Sequence, residues 1–544
     1  MTLRLFKKRP ATSVASTKTM AADAASPAHI EEHVERSHAE IMVVVVALML
    51  AMLLAALDQT IVSTALPRIA SDLHGLSKLS WVVTAYLITS AIGTILYGKI
   101  SDQLGRKKVF QSAIVIFLIG SALCGLSRNM DQLIFFRALQ GIGGGGLMSL
   151  VFAIIGDIIP PRQRGRYQGY FGGVWAVSSI AGPLLGGFFT DNLTWRWIFY
   201  INIPLGIIAL SVIAARLHLP VRKVQHKIDY PGAILITASV VCLLLLTVLG
   251  GVNYPWRSAP IYELGVGGVV AALLFVWREA KAKEPIIPLR FFRSDIFTVS
   301  SLLSLLSGAA MFGAMTYLPE YQQIVRGDSP MKSGLLLLPL VGGLMVAMIP
   351  SGRIISKIGK YRMFPILGTA ITAFGLWLFS HVTLGTSQLM LSVWMVVLGF
   401  GIGLYMQVMT LAVQNSIDRK DMGAATATVT FFRSMGASFG TAIFGAILTA
   451  RLTHYLRVYL PAPAAGHINT GTLQQGTASF KHVPPSIVHD ILEAFAHSFH
   501  DVFLVTVPFA LVTFVVSFFL REVPLKTSTR QTAEGEAFEA PQHA

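Results

Sequence analysis

A carboxylate inside an apolar helix is costly, and this chain places one at Asp58, within the stretch ALDQTIVSTAL. A charged Asp at mid-membrane depth costs about 2.5 to 3.5 kcal/mol on insertion scales, so burial there favours the neutral acid and its protonation can switch with access to water. Asp58 is therefore the leading candidate proton carrier. The competing reading is a carboxylate held in a fixed ion pair or polar network. Arg137 and Arg433 are the cations inside apolar runs. A guanidinium stays charged, so neither can carry the proton, yet each can bias a group that does. Glu320 lies near the outer end of an apolar run, either as a cavity acid or as a solvated rim acid. Asp157 sits near the end of its run and Asp501 begins another.

The elements that must position these groups are membrane spans. Of 544 residues, 53% are hydrophobic and only 13% charged, with a mean hydropathy of +0.63. That is far more apolar surface than one soluble core absorbs, which argues against a soluble enzyme. A helix crossing about 30 Å of hydrocarbon needs roughly 20 apolar residues. Such runs fall at 42–64, 79–99, 110–127, 132–158, 166–190, 197–217, 229–249, 260–278, 298–320, 333–356, 363–383, 388–412, 423–450 and 499–521. The fold class expected is an all-α integral membrane protein with fourteen transmembrane helices. Within the runs, the polar or aromatic residues Gln59, Tyr86, Gln140, Trp175, Gln407 and Gln414 are candidates to line a substrate cavity. Met406 and Met409 offer an adaptable apolar wall or simple packing.

Lys and Arg concentrate in the alternate loops that begin with GKISDQLGRKK and in both tails, which puts that face and both termini in the cytoplasm. The net charge of +16 is then mainly a topology signal and a match to the anionic lipid bilayer, not a mark of nucleic-acid binding. Residues 1–41 read as a disordered cytoplasmic tail, 42–217 as a six-helix bundle, and 218–297 as two inserted spans with a cytoplasmic linker. A second six-helix bundle covers 298–521, with an external loop at 452–498 closing in a short interfacial helix, and 522–544 form a polar tail. Cys124 and Cys242 lie inside apolar runs and read as small buried hydrophobes.

An internal repeat relates the halves. GKISDQLGRKK at 98–108 is echoed by GRIISKIGKYR at 352–362, an offset of 254 that also carries Gly182 onto Gly436 and Gly186 onto Gly440. The first copy sets Gly98 and Gly105 around Asp102, Arg106, Lys107 and Lys108, charges able to latch neighbouring helix ends. Positive-inside retention alone explains the bases but not the Gly and Asp spacing. GPLLGG supplies Gly182, Pro183, Gly186 and Gly187, where small residues four apart permit close helix approach and Pro183 removes a backbone donor. A hinge or sealed interface and ordinary tight packing both fit.

These stretches resemble the fourteen-span drug/proton antiporters of the major facilitator superfamily, the EmrB/QacA type. GKISDQLGRKK is similar to the superfamily's loop motif, LIFFRALQGIGGGG at 133–146 to its fourth-span motif, and GPLLGG to the fifth-span antiporter motif. LDQTIVSTALP at 57–67 and WRWIFYINIP at 195–204 resemble signatures of the fourteen-span branch. Ser63 departs from the usual Asn of the first signature, and Ser356 stands where the second loop motif would carry an acid. The resemblance implies two bundles rocking around a cavity and a role for Arg137 in proton coupling. It also implies a cytoplasmic gate in which Asp102 meets the opposite bundle while Arg106 or a neighbouring base meets Asp157.

The literal G-x-G-x-x-G at Gly141–Gly146 lacks the preceding strand of a dinucleotide site and reads as helix packing. No phosphate-binding P-loop occurs in the sequence, and no zinc-ligand spacing or nucleophile elbow stands out. The expectation is a proton-coupled multidrug efflux antiporter of a bacterial cytoplasmic membrane. It needs no metal or cofactor, is driven by the proton gradient, and takes lipophilic or cationic small molecules. The alternatives are a symporter or facilitator for an endogenous solute and, from another class, a non-transporting sensor. A periplasmic adaptor protein is a further partner that this architecture admits.

Overall fold

The computed structural model describes residues 38–74, 78–217, 229–251, 254–460 and 484–525, and among them it is helical, with no β-strand. The first half contains α1 (His38–Asp72), α2 (Leu79–Leu104), α3 (Arg106–Leu126), α4 (Met130–Ile158), α5 (Pro161–Asn192), α6 (Trp197–Tyr200) and α7 (Asn202–Arg216). A hairpin of α8 (Tyr230–Leu249) and α9 (Ala259–Lys281) follows. The second half contains α10 (Asp295–Ile324), α11 (Pro330–Leu335), α12 (Leu338–Ile358), α13 (Met363–Phe379), α14 (Gln388–Tyr405), α15 (Val408–Ser416), α16 (Met422–Tyr459) and α17 (Pro485–Ser517). Thirteen described stretches are long and apolar enough to cross a membrane, and α13, at 17 residues, supplies the fourteenth span. Helices suit that setting because they satisfy every backbone donor within the segment.

Local chemistry sets the ends. Asn129 caps α4 by accepting from the Gln132 amide at 2.8 Å, and Pro161 opens α5 where no donor is needed. Gly105 and Gly359, at φ +90° and +77°, turn the chain between α2 and α3 and after α12, in backbone that a side chain would strain. Spans six, ten and twelve are each split into two helical pieces, the last at Met406–Gln407.

Two expectations change. The segment PSIVHDILEAFAHSF is no separate interfacial helix: it is the first half of α17, continuous with the span after it. The chain just before it, 461–483, lies outside the described residues, as do 1–37 and 526–544 of the tails. The start of the C-terminal tail is docked: Leu525 donates to the Gly359 carbonyl at 3.1 Å and the Tyr361 amide donates to Glu522 at 3.0 Å.

The halves pack alike. In the first, α4 carries α2 and α3 while α1 packs on α5 and α7; in the second, α14 carries α12 and α13 while α10 packs on α16 and α17. Between the halves, α2 meets α16 and α12 meets α5. Contacts fix the register. A Cβ on Gly141, Gly143 or Gly145 would strike the backbone of Tyr86, Phe117 and Ser90, and one on Gly399, Gly401 or Gly403 that of Leu340, Thr372 and Leu344. Tyr86 and Leu340 stand 254 apart, but Gly141 and Gly399 stand 258 apart. The same larger offset relates Gly165, which packs on Gly352, to Gly423, which lies by Asp102 one turn from Gly98. The repeat therefore slips by four residues, about one helical turn, between its second and fourth spans, and Gly182 corresponds to Gly440, not Gly436.

The α8–α9 hairpin lies across the α2–α16 seam. Ile236, Val240 and Leu244 join Ile88, Ala91 and Ile95 of α2 with Phe431 and Met435 of α16, while α9 turns Leu273 and Trp277 outward. The return segment 282–294 touches both halves: Glu284 pairs with Lys99 of α2 at 3.2 Å and Arg290 with Asp421, just before α16, at 2.6 Å. The face where these loops gather is called the basic face below.

Candidate functional site

Where α1, α4 and α7 converge, Asp58 is 0% exposed and Arg137 1% exposed. Arg137 Nη1 donates to Asp58 Oδ2 at 2.6 Å and to Gln140 Oε1 at 2.8 Å, while Gln140 Nε2 donates to Asp58 Oδ1 at 2.8 Å. Asn202 Nδ2 reaches Asp58 Oδ1 at 3.4 Å and Ser121 at 3.0 Å. The guanidinium stacks over the Tyr86 ring at 4.3 Å and donates through Nε to the Val82 carbonyl at 3.3 Å. A buried charge is tolerable when paired and hydrogen-bonded; here both carboxylate oxygens accept, and the guanidinium donates through Nε and Nη1. Stripping one partner from such a pair costs about 3 to 5 kcal/mol.

This network belongs to one half alone. The structural register places Met395 and Leu398 where the first half has Arg137 and Gln140, and Leu340 where it has Tyr86, all of them buried and apolar. Two cavity candidates are thereby reassigned. Tyr86 and Gln140 face no cavity; they form the sealed wall around the ion pair. Gln59 is half-buried beside the Tyr86 hydroxyl, and Trp175 on α5 is also half-buried.

At the basic face, Asp102 accepts from the Gly423 and Ala424 amides at 3.2 and 2.9 Å, capping the N-terminus of α16 across the halves. Arg106 holds Asp102 at 2.9 Å and also bonds Asp157. Gly98 lets this contact close, since a Cβ there would strike Ala427. Lys107 stands apart from the latch: it donates to the Ala214 carbonyl at the end of α7, within its own half, at 2.7 Å.

The second seam is built with the opposite polarity. With Ser356 in place of an acid, Arg162 at the start of α5 donates to the Ser356 and Lys357 carbonyls at 3.1 and 3.0 Å, capping the C-terminus of α12. Between the seams, fully buried Arg164 donates to the carbonyls of Gly156, Ile159 and Gln414. Gln414 in turn donates to the Phe152 carbonyl at 2.9 Å. Gln414 therefore belongs to the seal between halves and not to a cavity wall. Gln407, at the α14–α15 break, is buried with its amide unpartnered among the described residues. Met406 and Met409 pack in the core of the second half.

In the GPLLGG stretch, Gly182 seats Thr60, whose hydroxyl donates to the Ser178 carbonyl at 2.9 Å, and Pro183 abuts Gly334 of α11 across the halves. Gly186 is buried, whereas Gly187 meets nothing within 4 Å and takes no part in close packing. The helix runs unbroken through Pro183. Glu320 and Arg433 are not brought to Asp58: they lie in the second half, on α10 and α16, each mostly buried.

Sequence reasoning missed Asn202, Arg162 and Arg164. The first is the amide inside WRWIFYINIP, a polar side chain in an apolar run. The arginines were indistinguishable from retention charges in a basic loop.

The description Major Facilitator Superfamily matches residues 48–441. An uncharacterized MFS-type transporter of Mycobacterium tuberculosis is 41% identical over 92% of this chain and 72% of its own length. The Multidrug transporter protein MdtP of Bacillus subtilis is 37% identical over 92% of this chain and 97% of its own. Among solved structures, the proton:xylose symporter XylE shares the fold at a TM-score of 0.60 and 13% identity, covering 91% of this chain and 99% of that one. With two pseudo-equivalent six-span halves meeting at paired seams, a matched stretch covering most of its length and relatives named as transporters, the chain belongs to the Major Facilitator Superfamily and is a membrane transporter, not an enzyme.

Proposed function

We propose that this transporter is a proton-driven exporter of lipophilic, often cationic compounds, working by alternating access with the basic face in the cytoplasm of a bacterial cell. The observation that carries this reading is the Asp58–Arg137 pair, an ionisable couple sealed in one half of an otherwise repeated architecture. While Asp58 is ionised, the couple is neutral and the first half packs tightly. Once Asp58 takes a proton, Arg137 loses its counter-charge, and a lone buried guanidinium drives rearrangement or hydration of the half. The Asp102, Arg106 and Asp157 cluster and the Arg162 cap then serve as the cytoplasmic gate, since each ties a helix end that must part when this face opens. Glu320 and Arg433 are the charged groups available to follow the cycle in the second half.

The membrane supplies the energy. A proton moving down 100 mV yields about 2.3 kcal/mol, with about 1.4 more per pH unit, and no cofactor enters the cycle. The name of the Bacillus relative, a multidrug transporter, supports drug-like compounds as the cargo. The test is ethidium accumulation in cells expressing the protein. A protonophore should raise accumulation, and Asp58→Asn should erase that difference at equal expression. Normal pumping by Asp58→Asn removes Asp58 as the carrier.

A further inference from the structure

The register that relates α5 to α16 sets unlike chemistry at matched depths. It takes Gly165 to Gly423 and, one repeat offset throughout, Trp175 to Arg433. Beside Arg433, α16 carries Thr430, Ser434 and Ser438 a turn apart, each hydroxyl donating to the carbonyl four residues back at 2.9 to 3.1 Å. At the corresponding places α5 has Gly172, Ala176 and Ile180. One wall is cationic and hydroxylated; its counterpart carries an indole and no hydroxyl at those positions.

Arg433 lies eleven residues past the start of α16, about 16 Å along the helix, and is mostly buried with part of its surface exposed at that depth. Among the described residues it forms no ion pair. The other deep arginines are satisfied: Arg137 by Asp58, Arg106 by two carboxylates, Arg164 by three carbonyls. Glu320 does not serve Arg433, because Tyr317 bonds the Thr441 carbonyl and so fixes that end of α10 two turns further along α16 than Arg433. A permanently charged group that is not fully buried and lacks a protein counter-ion among the described residues is an anion site awaiting its anion.

We propose that Arg433 is an acid-recognition subsite and that the cargo range includes amphipathic organic acids, with a carboxylate or sulfonate forked by the guanidinium and an aromatic body on the side of Trp175. This deepens the exporter reading and rests on it.

The test is a matched pair of probes with one aromatic body and opposite charge, naphthalenesulfonate and naphthylmethyl-trimethylammonium, taken up by vesicles reconstituted with the protein under an imposed pH gradient. Arg433→Gln should lower the sulfonate-to-ammonium uptake ratio by about tenfold or more, and Arg433→Lys, which keeps the charge but loses the fork, should give an intermediate ratio. Equilibrium dialysis of the sulfonate against purified wild type and Arg433→Lys reads the same subsite without transport and covers a Gln variant that does not fold. An unchanged ratio, or a wild type that neither binds nor moves the sulfonate, overturns the subsite. Uptake of the ammonium probe without the sulfonate removes the subsite and leaves the exporter reading; uptake of the sulfonate without the ammonium probe does the reverse for cation export.

Discussion

Asp58 and Arg137 meet at 2.6 Å with neither side chain open to solvent, although 79 residues separate them. Arg137→Gln leaves a carboxylate buried without its counter-charge, so thermal unfolding in detergent should show a loss of about 3 to 5 kcal/mol. Asp58→Asn/Arg137→Gln together should be less damaging than the sum, since the double variant buries no lone charge. Additive losses would mean that the two groups are not energetically coupled.

Asp102 caps a helix of the opposite half, so removing its charge should loosen the basic face and spare the rest. For Asp102→Asn the expected weakening is about 1 to 2 kcal/mol, a shift of roughly 5- to 30-fold in the balance between closed and open states. Spin labels at exposed Leu104 and Asp418 read this as growth of a longer distance. An unchanged distance distribution would show that the cap does not hold the seam.

Two glycines of similar sequence standing should respond in opposite ways. Gly399→Ala forces a methyl into the backbone of Leu340 and should cost about 1 to 3 kcal/mol. Gly187→Ala meets open space within a helix and should be neutral or stabilising by about 0.5 to 1 kcal/mol. Comparable losses at both positions, measured by thermal shift, would contradict the packing described.

The return segment after the hairpin spans both halves, through Glu284 to Lys99 and through Arg290 to Asp421. Breaking either pair alone, with Lys99→Ala or Arg290→Ala, should raise the open population of the basic face by about two- to fivefold, a surface-pair effect of up to about 1 kcal/mol. The same labels at Leu104 and Asp418 check it, and a response to neither change would show the segment to be passive.

Hydropathy made all fourteen spans legible, because length and apolarity are what a membrane demands of a helix. Asp58 and Arg137 were each visible as misplaced charges, yet their contact depends on how α1 crosses α4, which no local pattern encodes. The slipped register was hidden for a similar reason. Glycines recur four apart in both halves, so a match one turn out of step looks as good as the true one until Tyr86 and Leu340 are seen against Gly141 and Gly399. Gln414 illustrates the converse. A polar side chain in an apolar run reads as a cavity residue, whereas here it seals two carbonyl-lined helix ends together.

Among the described residues, the hairpin covers the α2–α16 seam and not the related α5–α12 seam. On the exporter reading, a compound arriving from the bilayer would meet two seams of common origin, one shuttered by extra helices, so the asymmetry of the insertion becomes an asymmetry of approach.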